Sequence, residues 1–263
     1  MSENQPGRLL TEERRREIVA ILERQGRVTV AELRKLFAVS AVTARSDLDA
    51  LHANGLLVRS HGGGIRPVMA GPDYPLKVRE TIHHEEKQRI ARAAALLIRP
   101  FQTVMIGSGS TCAELAAQIR KSPPEHLTVI TYALNVAMRL ADAPNVSLVL
   151  VGGILRQVST ALVGPQAEHM IKDLHADHCF LTTVGIDAGV GATTLDILEA
   201  QLNARMIGSA REVTVLADSS KIGHRSLSVI ADIVRIHRII TDDHVAPEAI
   251  SPFRDKGIEV VLA

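Results

Sequence analysis

Tryptophan is absent from the 263 residues, and two tyrosines and four phenylalanines are the only other aromatic rings besides histidine. So few rings exclude a surface that stacks single-stranded bases, which depends on aromatic platforms. Two cysteines cannot build a disulfide framework, and a reducing, cytoplasmic setting is expected. The opening MSENQPGRLLTEERRRE lacks the apolar core of a signal peptide. No uninterrupted apolar run reaches the ~18–20 residues of a membrane span, so no membrane partner is expected. A large excess of one charge is missing too, the formal net charge being +1. What is present is an ordinary globular mixture, 46% hydrophobic and 22% charged. That composition excludes bulk disorder, and the length suits two domains of roughly 100–200 residues each.

The charge is unevenly spread. Residues 1–66 hold eleven Lys/Arg against eight Asp/Glu, and the other 197 hold nineteen against twenty-one. A basic head on a neutral body suits contact with nucleic acid. Two domains joined by a linker are expected: a winged helix-turn-helix over 1–66, a linker over 67–81 rich in Pro and Gly, and an α/β domain over 82–263.

The head reads as three helices and a hairpin. Thr11 is placed to cap the first helix, whose apolar stripe is Ile18, Val19, Ile21 and Leu22. Thr29 and Glu32 form a capping box for the second, and Ser40 caps the third. Leu56–Arg59 and Ile65-Arg66 read as strands around a Gly62-Gly63-Gly64 turn. Val39, Ala44, Leu48 and Leu51 face inward, which leaves Ser40, Val42, Thr43, Arg45 and Ser46 for the major groove of double-stranded DNA. There Arg45 can donate two bonds to guanine, Thr43 can bond a base edge or phosphate, and Val42 can pack on a thymine methyl. Arg59 and His61 flank the wing. The run Arg14-Arg15-Arg16 reads as a solvated face.

From residue 82 the pattern alternates. A helix is expected from Ile82 to Ile98, and strands at 103–106, 127–131, 146–151, 178–184, 213–217, 238–241 and 258–262. Helices near 110–121, 134–141, 165–173, 199–210 and 247–255 separate most of them. Apolar strands alternating with helices imply a mostly parallel sheet covered on both faces, with ligands beyond the carboxyl ends of its strands. Gly107-Ser108-Gly109-Ser110-Thr111 follows one strand and opens a helix, as a phosphate cradle does. Thr131, Asn135, Gly152, Gly153, Asp187, Asp218 and Lys221 fall at other strand ends. Asp187 suits sugar hydroxyls; Lys221, held in place by Asp218, suits a phosphate or a carbonyl oxygen; and Lys87 suits a link from the occupied site to the head. His175, Asp177, His178 and Cys179 resemble a metal cluster, but alternation in a strand sends His178 and Cys179 to opposite faces. No metal and no cofactor is expected. Cys112, at a helix start that lowers a thiol's pKa, leaves a redox-sensing regulator as an alternative.

The segments Thr43-Ala44-Arg45-Ser46-Asp47-Leu48 and His61-Gly62-Gly63 make the head similar to that of the DeoR family of bacterial sugar-catabolism regulators. The body carries Ile106–Thr111, Val151-Gly152-Gly153, Gly185-Ile186-Asp187 and Ala217–Lys221 in the order of that family. The resemblance covers about residues 12–262. It implies a repressor whose effector is a phosphorylated sugar, on an effector domain similar in fold to ribose-5-phosphate isomerase. Ala44 replaces the family's usual larger β-branched residue, and Ser46 its common second arginine. An isomerase-like enzyme, with Asp187 as base and Lys221 as stabiliser, is the rival, although Ala188 stands where those isomerases carry a further acid. One winged helix covers half a site, so a homo-oligomer, dimer or tetramer, is expected on DNA.

Overall fold

The computed structural model describes residues 10–53, 56–60, 62–65 and 73–263. The chain divides into two compact units, Met1–Ile82 and His83–Ala263.

In the first unit, α1 (Thr11–Gln25) leads through β1 (Arg27–Thr29) to α2 (Val30–Phe37) and α3 (Ala41–Ala53). The strands β2 (Val58–Ser60) and β3 (Gly63–Ile65) follow, and then the short α4 (Leu76–Arg79). Thr29 caps α2 as expected, its hydroxyl accepting the Glu32 amide at 3.2 Å while the Glu32 carboxylate accepts the Thr29 amide at 2.7 Å. Thr11 is not a cap: it is the first helical residue, and the Glu13 carboxylate accepts the Leu10 amide at 3.0 Å instead. The wing also differs from a plain hairpin. β3 lies between β1 and β2 in an antiparallel sheet, with Gly63 and Gly64 inside the strand rather than in a turn. Close approach explains both glycines, since a Cβ at Gly63 would overlap the Val28 carbonyl and one at Gly64 would meet the Leu57 side chain. Ile18, Leu22, Leu33, Ala44, Leu48, Leu51 and Leu57 form the core, and Tyr74, Val78 and Ile82 pack against it. Tyr74 and Val78, from the segment read as linker, and Ile82, read as the start of the body, thus contribute to the head.

The second unit begins with α5 (His84–Ala95), β4 (Thr103–Ile106), α6 (Ser110–Lys121), β5 (Leu127–Thr131), α7 (Leu134–Leu140) and β6 (Val146–Leu150). A hairpin of β7 (Ile154–Arg156) and β8 (Ala161–Val163) precedes α8 (Pro165–Ile171) and β9 (Ala176–Thr182). After β10 (Gly185–Asp187) and β11 (Gly191–Thr194) come α9 (Ile197–Gly208), β12 (Ala210–Leu216) and β13 (Ser228–Ala231). The chain closes with β14 (Arg238–Thr241), α10 (Pro247–Arg254) and β15 (Glu259–Leu262).

Seven strands form one parallel sheet in the order β15-β14-β12-β9-β4-β5-β6. Alternation fills both faces. Val104, Ile106, Val129 and Phe180 pack with Ile90, Leu115 and Val136 from α5, α6 and α7. Met105, Leu181, Val215 and Ile239 pack on the other side with Leu202 and Phe253 from α9 and α10. Each such aliphatic side chain contributes about 1.5–3 kcal/mol by leaving water. From β4 the chain builds outward through β5 and β6, then returns to add β9, β12, β14 and β15 on the other side. The reversal falls between β4 and β9, and crevices at such a point bind ligands.

Candidate functional site: the outer face of α3 and the crevice beyond β4 and β9

Ser40 caps α3, its Oγ accepting the Thr43 amide at 3.0 Å and lying 2.8 Å from Thr43 Oγ1. Val42 is 74% exposed, and Arg45 and Ser46 are exposed beside it. Among the described residues Arg45 has no ion-pair partner, so its guanidinium is free to form a bidentate bond. Arg59 is differently employed. Its Nε lies 3.1 Å from Asp49 of α3 and its Nη1 donates to the Gly63 carbonyl at 2.9 Å, so it braces the wing. His61 lies outside the described residues.

Sequence reading missed the ion cluster behind α3. Asp47 is 1% exposed; Arg14 reaches its Oδ2 at 2.6 Å through Nε, and Arg15 reaches its Oδ1 at 3.1 Å. Arg14 is therefore buried, whereas the expectation for the arginine run was a solvated face. The signal was there: Asp47 falls on the inward stripe with Ala44, Leu48 and Leu51, and a carboxylate at a core position needs a cation.

In the crevice, Gly107 donates to the Phe180 carbonyl at 2.8 Å, and Thr182 Oγ1 donates to the Ser108 carbonyl at 2.8 Å. These bonds fix the β4–α6 loop against the end of β9. Gly109 is the N-cap of α6 at φ 115° and ψ 166°, a region open essentially only to glycine. The amides of Gly109, Ser110, Thr111 and Cys112 have no acceptor among the described residues. They form the positive end of a helix, suited to an anion. Asn135 Nδ2 donates to the Gly109 carbonyl at 3.3 Å, while its buried Oδ1 has no partner.

A second cluster stands at the end of β12. Asp218 is buried and accepts the Ser220 amide at 3.2 Å as well as its hydroxyl. Burial opposes its charge, yet Lys221, Lys87 and His83, with the Ser220 hydroxyl, hold its carboxyl below the ordinary value. Lys87 is buried on α5, so both expected lysines sit within the electrostatic reach of Asp218.

Four other expected site residues have surroundings of their own. Thr131 is fully buried, its hydroxyl donating to the Ile106 carbonyl at 2.7 Å and accepting the Ala133 amide at 3.1 Å. Asp187 folds back on its own hairpin: its Oδ1 accepts from Gly189, Val190 and Arg225 at 2.8, 3.0 and 3.0 Å. Against a burial effect of opposite sign, these donors lower its pKa. Gly152 and Gly153 are exposed in the segment between β6 and β7, where a Cβ at Gly153 would lie 2.7 Å from the Val163 carbonyl.

The crevice also holds residues that spacing did not reveal. Tyr132 Oη lies 2.9 Å from Asn203 Oδ1 and 3.2 Å from Ser108 Oγ. Arg156, delivered by the β7–β8 hairpin, meets Asp196 and Glu199 at the start of α9 and Ser159 in its own turn. The elements concerned, β7 and β8, are too short to show a strand period.

The thiols lie apart from this chemistry. Cys112 and Cys179 are both fully buried; burial pushes the first well up and the second to about 12. A thiolate is the reactive form, so burial overrides the helix start that suggested redox sensing through Cys112. His178 bonds Thr214 Oγ1 at 2.7 Å and stacks on Phe180, and burial lowers its pKa to about 4. Among the described residues, no helix is long and apolar enough to cross a membrane.

An exposed reading helix and an α/β body with an anion-ready crevice define a helix-turn-helix regulator with a sensor domain. The matches agree: residues 14–67 fit the DeoR-like helix-turn-helix domain and residues 82–243 the DeoR C terminal sensor domain. The chain belongs to the DeoR family. Similar proteins include one assigned as the aga operon transcriptional repressor of Escherichia coli O157:H7, 38% identical over 96% of this chain and 94% of its own. The lactose phosphotransferase system repressor of Lactococcus lactis is 30% identical over 90% of this chain and 92% of its own. Among solved structures, ribose 5-phosphate isomerase A of Methanocaldococcus jannaschii aligns at 17% identity and a TM-score of 0.38, covering 53% of this chain and 54% of that one.

Proposed function

We propose that this protein is a cytoplasmic, DNA-binding transcriptional repressor of sugar-metabolism genes, released from its operator by a phosphorylated sugar bound in the crevice beyond β4 and β9. The observation that carries the reading is the pairing of two open donor sets. Arg45 on α3 is free for base edges, and the amides of Gly109 to Cys112 are free for a phosphate. Lys87 and Lys221 add positive charge at the neighbouring strand end. An effector that binds the DNA-free state better than the DNA-bound state lowers operator affinity by the same coupling energy, so repression needs no second catalyst. A sensor rather than an isomerase is favoured because Asp187, the expected base, spends its Oδ1 on three donors.

Operator titrations test the DNA half. With Ser40, Val42, Thr43 and Ser46 beside it, Arg45 is the strongest base-reading group, and Arg45→Ala should cost about 1–3 kcal/mol and relax preference at one base pair. Unchanged affinity and unchanged preference at every position would remove Arg45 from the reading face.

Non-specific contacts alone bind at about 10⁻⁴–10⁻⁶ M, so a single head is too weak and a homo-oligomer places two heads on paired half-sites. Analytical ultracentrifugation at micromolar concentration should give a dimer or tetramer. A monomer that binds the operator with full affinity contradicts this.

A further inference from the structure

The head carries a groove that the reading helix does not use. It lies between α1 and α2, has a volume of about 820 Å³, and is floored by Ile21, Val28, Leu33 and Phe37. Leu36 lines it as well and is 61% exposed, while Leu33 is buried and Ile21 and Phe37 are half-buried. A large aliphatic side chain left in water beside an open apolar groove marks a contact surface. No residue of α3 lines the groove, so this surface is separate from the one that faces DNA.

The charges of the groove say what covers it. Glu17 and Arg24 line it from α1, four residues before Ile21 and three after it, so the three share one helical face. Seven residues of helix set the two charges about 10 Å apart, too far to pair with each other. Among the described residues neither has an ion-pair partner. On α2, Lys35 and Glu32 add one charge of each sign, Glu32 being already bonded to Thr29. A partner of a single sign, such as a nucleic acid or an acidic peptide, would be repelled at one end. A second α1 laid antiparallel is attracted at both ends. Rotation about a two-fold axis at Ile21 sets Glu17 of each copy against Arg24 of the other, with isoleucine on isoleucine between them.

We propose that this groove is a head-to-head interface: two copies of the chain pair their α1 helices antiparallel about Ile21, with Leu36 and Phe37 covering the apolar contact from α2. This deepens the reading that two heads occupy paired half-sites, and rests on it. The pairing supplies orientation more than strength. Exposed ion pairs contribute little each, so the contact forms between chains that are already held at high effective concentration. It fixes the distance between the two α3 helices, and with it the half-site spacing that the protein accepts.

Disulfide trapping in the full-length protein tests this. Cys112 and Cys179 are fully buried, so introduced thiols react alone. Under a mild oxidant, Ile21→Cys should form a covalent dimer at least about ten-fold faster than Arg16→Cys, which is exposed elsewhere on α1. Glu17→Arg or Arg24→Glu, each added to Ile21→Cys, should slow the trapping by setting like charges across the axis. Both swaps together should restore it, which independent effects of the two residues cannot do. A chain carrying Glu17→Cys with Arg24→Cys, both at exposed positions, should cross-link too, and it keeps the test decisive if Ile21→Cys does not fold. Trapping no faster than that of Arg16→Cys overturns the proposal, as does a double swap that stays slow. Sedimentation of the same samples separates the two readings. An oligomer without trapping overturns the groove alone, and a monomer that binds the operator with full affinity overturns both.

Discussion

Replacing Asp47 by alanine should unfold the head and abolish operator binding while the body keeps its own melting transition. Arg14, 6% exposed, would lose the carboxylate that its Nε meets at 2.6 Å, and Arg15 would lose the same partner. Removing one member of a buried ion pair costs about 3–5 kcal/mol. A domain this small has a total stability of the same order, at roughly 0.05–0.15 kcal/mol per residue. Two neighbouring changes isolate the cause. Arg16 is exposed, so Arg16→Ala should stay within about 0.5 kcal/mol of the parent. Arg14→Met combined with Asp47→Leu removes both charges and should recover most of the loss. Calorimetry of the intact chain would separate the two units. An Asp47→Ala protein whose head melts within about 1 kcal/mol of the parent would show that the cluster contributes little.

The large body elements were readable because their residues obey one period at a time. Thr103–Ile106, Leu127–Thr131 and Arg238–Thr241 are short runs rich in β-branched residues around apolar centres, and each is a strand with the boundaries the pattern predicts. Ser110–Lys121 begins after a glycine pair and carries Cys112, Leu115, Ala116 and Ile119 inward, which is a helical spacing. The small sheet of β10, β11 and β13 had no such signature. Its strands are three or four residues long, and two of their residues, Thr193 and Thr194, are buried though polar, the Thr193 hydroxyl donating to the Gly185 carbonyl at 2.9 Å. β1 was hidden for a related reason: Arg27–Thr29 is too brief to alternate, and its partner strand is built on glycines.

The candidate sites were legible to the extent that backbone chemistry makes them. Glycine beside hydroxyl residues at a strand-to-helix turn is a signal about the main chain, and the crevice loop has that form. Side chains at strand ends are a weaker signal, because the same position permits inward bracing. Thr131 spends its hydroxyl on Ile106 and Ala133, and Asp187 on its own turn, and neither choice is encoded in the local motif. Arg156, Glu199 and Asn203 come from segments separated by forty residues or so, and only the packing of the β7–β8 hairpin against α9 brings them near Tyr132. Lys87 could be selected as a charge on the first helix of the body, but its burial near Asp218 is a property of the fold.

Substitution at the phosphate loop should produce the opposite separation from Asp47→Ala: effector response lost, operator binding kept. Gly109 adopts φ 115° and ψ 166°, where a β-branched residue is strained by about 1–3 kcal/mol. A Cβ there would also overlap the Thr182 hydroxyl, which donates to the Ser108 carbonyl at 2.8 Å and so holds the loop on β9. Gly109→Val therefore has to move the loop, and with it the amides of Ser110, Thr111 and Cys112. The sugar phosphate should no longer shift the melting temperature or release the operator. A second variant reaches the same amides without strain. Ser110 is the first residue of α6, a position where proline fits and removes only an N–H that the helix does not use. Ser110→Pro should fold normally and weaken a sugar phosphate about ten-fold or more, as expected for a lost hydrogen bond to an anion. Full effector sensitivity in both variants, each folded by circular dichroism, would mean that the phosphate is held elsewhere in the body.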